Sequence, residues 1–136
     1  MSQDFINRVV QLTNAERQRA GLQSLKFNGR LAVAAQKHSV DMAMQDFFSH
    51  NSKDNSSPFD RIKATGYRYS RAAENIYAGG STPEDVVRGW MNSPGHRKNI
   101  LNPEYQEIGV GYYFLANDTG SVNYKHYWTQ VFGTPM

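Results

Sequence analysis

The chain contains no cysteine, which rules out disulfide staples, thiolate metal sites and cysteine nucleophiles together. Stability must therefore come from packing, and 136 residues are enough to bury a sizeable core without cross-links. The compartment is left open, because a domain of this size needs no disulfide even in an oxidising space. Long apolar runs are missing too. No window approaches the roughly 18 residues that cross a bilayer, and the opening MSQDFINRVV lacks the uninterrupted apolar core of a secretory signal. Neither sign of charge dominates: 15 basic residues face 12 acidic ones, and a net charge of +3 is too mild to imply a nucleic-acid partner. With 39% hydrophobic residues and a mean hydropathy of -0.67, the composition is that of a globular chain with a strongly polar surface. Repeats, low-complexity tracts and linkers are also absent, so residues 1–136 read as one domain.

Hydrophobic spacing supplies the elements. Phe5, Ile6, Val9 and Leu12 recur at a helical period, and Gly21 is placed to stop that helix. After Asn28 and Gly29, Leu31, Ala35, His38 and Met42 form one stripe of a second helix, which turns His38 inward. Ser57 as cap, Pro58 in the first turn and Gly66 as stop predict a short third helix. A strand is expected around Glu74 to Ala78. A fourth helix opens at Thr82 and Pro83, with Glu84 and Asp85 where the helix dipole favours negative charge. It breaks at Ser93-Pro94-Gly95, since proline removes a backbone donor and glycine tolerates unusual dihedrals. EIGVGYYF and YKHYWTQVF, separated by the turn formers Asn117 to Gly120, read as an antiparallel hairpin. The glycines of GVG have no dinucleotide context, so they are read as strand glycines that let a neighbour approach closely. The expected fold is α+β, with helices covering a central sheet.

The chemistry-bearing residues are few. There is no nucleophile elbow, phosphate loop, His-Glu-x-x-His helix or EF-hand spacing. His50 ends the FFSH run and His96 follows the Pro94-Gly95 corner, while His38 reads as structural. Glu74 lies among small and apolar residues, where an unpaired carboxylate would be costly. It needs partners, either in a structural polar network or, with two histidines, in a three-ligand divalent metal site. The tract DRIKATGYRYSR interleaves Arg61, Lys63, Arg68 and Arg71 with Tyr67 and Tyr69. Stacking tyrosines beside cations hold single strands in other proteins, but here the tract is read as a solvated helix end and turn with snorkelling side chains.

QKHSVDMAMQDFFSH, AENIYAG, GWMNSPGHRKNIL, EIGVGYY and YWTQVFG, in that order, resemble the CAP superfamily of cysteine-rich secretory, antigen 5 and pathogenesis-related 1 proteins. SPGHR resembles the bacterial SCP-like branch in particular. The resemblance implies a three-layer α-β-α sandwich with a mostly antiparallel central sheet, an extracellular location (secreted or attached to the cell envelope), and a cleft of two histidines and two glutamates able to hold zinc or another divalent metal. His50 matches the first histidine and Glu74 the first glutamate. Ser93 stands at the second glutamate's place and Tyr127 at the second histidine's, with His126 one residue earlier and so on the opposite strand face. The expectation is that the corner delivers His96 to join His50 and Glu74 around a divalent metal or a small polar ligand, with Tyr127 offering a hydroxyl and Ser93 close by. A binding protein without established catalysis is the leading reading. A metal-dependent hydrolase of cell-wall peptide or glycan, with Glu107 as the nearest base, and a pure interaction scaffold are its rivals. No catalytic residue is assigned. The expected partner is a small ligand or cell-wall component met by a monomer, with no nucleic acid.

Overall fold

Three of the helices open on capping side chains, two of them the ones the sequence marks. The computed structural model describes residues 2–136, beginning with α1 (Ser2–Arg19). The Asn28 side chain accepts from the amides of Arg30 and Leu31 at 2.9 and 3.1 Å and opens α2 (Gly29–Met44). Ser57 and Asp60 form a reciprocal capping box on α3 (Pro58–Ala64). The Thr82 hydroxyl accepts from Asp85 N–H at the start of α4 (Pro83–Met91). Pro94 does more than turn a corner, because it begins α5 (Pro94–Ile100), a fifth helix in place of the expected bend.

The strands are β1 (Lys26–Phe27), β2 (Tyr69–Ala78), β3 (Glu107–Phe114) and β4 (His126–Pro135), in the sheet order β1-β3-β4-β2. Only the short β1 runs parallel to its neighbour. β2 begins five residues before Glu74, where its sequence expectation began, because Tyr69 already pairs with Pro135. The last three residues of the basic tract, Tyr69 to Arg71, are therefore strand rather than turn.

Alternation along the strands sorts the side chains into two layers. Ile108, Val110, Tyr112, Trp128 and Phe132 pack with Val9 of α1, Trp90 of α4 and Ile100 of α5. On the other face, Val131 meets Leu31, Ala35 and Ile62, while Tyr127 and Ile76 meet Met42 and Ala43. This is the expected α-β-α sandwich. Its close seam is at Gly109 and Gly111, which lie against the α2 backbone at Ala32 and Gln36. β2 is one of the two outer strands of the sheet, opposite β1, and helices of both layers pack against it.

Candidate functional site

Glu74 and Asn75 are neighbours on β2 and so point to opposite layers. On the α2 and α3 side, Glu74 Oε1 accepts from His50 Nδ1 at 2.9 Å and Oε2 from Arg61 at 2.8 Å. The carboxylate and the guanidinium are both buried, at 2% and 3% side-chain exposure. Arg61 also donates to the His50 carbonyl at 2.7 Å and to Ser52 Oγ at 2.9 Å. One buried cation thus neutralises Glu74 and straps down the loop that carries His50. A second clamp comes from His38, whose Nε2 donates to the Ser49 carbonyl at 2.7 Å and lies 3.9 Å from Glu74 Oε1. The His50 ring itself is half exposed. Its Nδ1–H is committed to Glu74, so Nε2 is the nitrogen left to face solvent.

On the opposite layer, Asn75 donates to the His96 carbonyl at 3.2 Å and to Gln130 Oε1 at 3.0 Å, and accepts from Asn99 at 2.9 Å. These bonds seat the first turn of α5 against β2 and hold His96 at the edge. Burial, and then the nearby charge of His50, hold the His96 imidazole below its ordinary pKa. The two histidines approach one another around the edge of β2 from different layers.

The structure therefore joins His50 to Glu74 directly and brings His96 within electrostatic range of His50. It does not bring in Tyr127. That side chain is wholly buried and its hydroxyl donates to Asp118, so the expected free hydroxyl is corrected to a core hydrogen bond. Burial and Asp118 together push its phenol pKa up. Ser93 occupies the cap position of α5 without a side-chain capping bond, and no hydrogen bond joins its side chain to His50, Glu74 or His96 among the described residues. Glu107 is engaged elsewhere, accepting from Tyr67 at 2.7 Å. Arg61 departs furthest from its sequence expectation. Its tract reads as solvated, yet Arg61 is the hub of the site, and nothing in the local pattern separates it from an exposed helix arginine.

A divalent metal needs three protein donors aimed at one point in the usual zinc centre. Among the described residues no three His, Asp or Glu side chains are grouped in that way. Both Glu74 oxygens are occupied, one of them by a cation. As arranged, Glu74 acts as the outer partner that orients an imidazole, which leaves two rings as direct donors and does not fit a three-ligand centre.

His38 ties folding to pH. Its pKa is lowered chiefly by burial, against the opposing pull of Glu74. Its Nδ1 is buried without a partner, so a proton added there meets no acceptor. A folded-state pKa below the unfolded value means that the unfolded chain binds more protons as pH falls through the histidine range. The associated stability is present above about pH 6.5 and is lost on acidification below it. His96 and His126 are shifted in the same direction and add with the same sign. The urea midpoint should therefore fall between pH 7 and pH 5. His38→Gln, which keeps an N–H for Ser49, should fall less steeply, and an unchanged slope would remove His38 from the account.

Comparison with known proteins agrees with this architecture. Residues 10–132 match the Cysteine-rich secretory protein family, CAP. Bacillus subtilis YkwD is 49% identical over 128 residues, covering 94% of this chain and 46% of YkwD. The chain thus spans less than half the length of that curated relative. An extracellular SCP-domain protein of Bacillus anthracis superposes with a TM-score of 0.85 at 32% identity, over 98% of this chain and 41% of the other. An outer surface protein of Borrelia burgdorferi superposes over the full length of both chains with a TM-score of 0.88 at 17% identity, a likeness of fold alone.

Proposed function

This chain belongs to the Cysteine-rich secretory protein (CAP) family, and from that premise we propose that it is a binding domain of the bacterial cell exterior that captures a small polar ligand at the β2 edge. The observation that carries the reading is the half-exposed His50 ring, whose Nδ1 is fixed by a buried carboxylate so that Nε2 is left for a ligand. A ring ordered this way meets a ligand hydroxyl or amide without first losing its own freedom. His96, held beside it with a lowered pKa, is a second neutral acceptor or donor. The extracellular description of the Bacillus anthracis neighbour supports the location. Binding is favoured over turnover because Glu107, the nearest base expected for hydrolysis, is bonded to Tyr67.

Soluble peptidoglycan fragments test this reading, with the histidine ring resonances as the readout. Binding should shift His50 and His96 without product release, and His50→Ala and Glu74→Gln should each weaken it roughly tenfold or more, as expected when a buried hydrogen-bonding group loses its partner. Shifts confined to other parts of the molecule would overturn the site. Micromolar zinc binding lost in both variants would replace it with a metal centre. Fragment cleavage abolished by His96→Ala would make the protein a hydrolase.

A further inference from the structure

Among the described residues every acidic side chain has a partner within the chain, whether a cation, a hydroxyl or a backbone amide. Several cations form no ion pair among the described residues. Three of them gather at one place. Lys63 and Arg68 line a cavity of about 650 Å3 together with Gly66, Tyr67, Tyr69 and Met136. A Cβ built on Gly66 would lie 4.0 Å from Arg30 Nε, so the third guanidinium stands over the same turn. Arg30, Lys63 and Arg68 are exposed, and none forms an ion pair among the described residues. The neighbouring cation Arg71 is paired with Glu104, and Asp60 is held in the α3 capping box.

We infer that the Arg30–Lys63–Arg68 cavity is a second binding site, which takes a linear chain of closely spaced phosphates. Arg30 from α2, Lys63 from α3 and Arg68 from the residue before β2 frame it, so a chain with several charges engages all three where a single phosphate cannot. The rings favour a phosphate chain over stacked bases. Base stacking needs successive open ring faces. Here Tyr67 is buried with its hydroxyl donated to Glu107, and Tyr69 leans on Phe59 at 6.3 Å with a 35° tilt. These rings form an apolar wall and present no ladder. The site is separate from His50, since Tyr69 lies five residues along β2 from Glu74, about 16 Å at strand spacing.

The test uses long-chain inorganic polyphosphate as the probe, with calorimetry across a salt series. Wild-type protein should bind it with a steep salt dependence, and inorganic phosphate at the same phosphate concentration should not bind. Arg30→Gln/Lys63→Gln/Arg68→Gln should lose roughly tenfold or more in affinity and flatten the log–log salt slope by about 2, the share of three phosphate contacts. Lys26→Gln/Lys53→Gln/Lys98→Gln removes the same charge from elsewhere on the surface and should stay within about twofold of wild type. Equal losses in the two triple variants would show attraction to net charge and overturn the site, as would no binding by wild type. An oligothymidylate that binds more tightly than polyphosphate and is weakened by Phe59→Ala would overturn the phosphate-chain assignment in favour of a single-stranded nucleic acid.

Discussion

Gly109→Ala should unfold the protein or lower its stability by more than about 3 kcal/mol, at or beyond the upper end of overpacking costs. A Cβ at this position would lie 2.7 Å from Ala32 Cα and nearer still to Ala32 N, so the obstacle is helix backbone and not a side chain that can rotate away. Relief requires α2 to lift from the sheet. That helix carries the buried Leu31, Ala35, His38 and Met42, and its Gln36 amide both donates to the Tyr112 carbonyl and accepts from the Tyr112 N–H at 2.9 Å. Lifting it would also loosen the His38 bond to Ser49 and so the loop that presents His50. Gly111→Ala meets the same backbone one turn later, with Gln36 Cα 2.5 Å away. Gly95→Ala is the control. It lies within α5 with nothing within 4 Å of its added Cβ, and it should be neutral or stabilising by up to about 1 kcal/mol. Urea denaturation of the three variants checks this, and a wild-type midpoint for Gly109→Ala would mean that α2 is not seated on these glycines.

Arg61→Met should destabilise by about 3–5 kcal/mol, the range seen when one partner of a buried ion pair is removed and the other stays charged. Glu74 would keep its bond to His50 but lose the guanidinium on Oε2. The His50 carbonyl and Ser52 hydroxyl would lose their donor in the same step. Glu74→Gln/Arg61→Met should be more stable than Arg61→Met alone, because the stranded charge is gone. Arg61→Lys should rescue little, since one ammonium cannot replace a planar fork that reaches four groups at once. The double-mutant cycle gives the coupling energy, and limited proteolysis between residues 45 and 57 reports whether the loop is released. A near-zero coupling, or an uncut loop in Arg61→Met, would show that the pair does not hold the site.

Much of the layer architecture could be read from the chain in advance. Ser57 and Thr82 announced helix starts because capping is a local matter of one side chain and the next few amides. Alternation in EIGVGYYF and YWTQVF announced a hairpin, and the two glycines of GVG announced the close approach that α2 makes. The demand that Glu74 have a partner was also plain, since a carboxylate among apolar neighbours is costly wherever the chain goes. β1 escaped notice because two residues carry no periodicity, and it exists only because Glu107 and Ile108 offer an edge for Lys26 and Phe27.

What the amino-acid order determined by itself was most of the elements, with β1 and α5 as the exceptions, their buried faces and the need of Glu74 for a partner, all of which depend on neighbours within a few residues. Which group answered that need was decided only in three dimensions. Arg61 reaches Glu74 because α3 packs beside β2, Tyr127 closes on Asp118 because its strand face turns into the core, and His96 comes within electrostatic range of His50 because β2 ends the sheet. The periods of helix and strand are short-range properties of the backbone, whereas the partner of a buried charge is whichever donor the packed layers bring within about 3 Å of it.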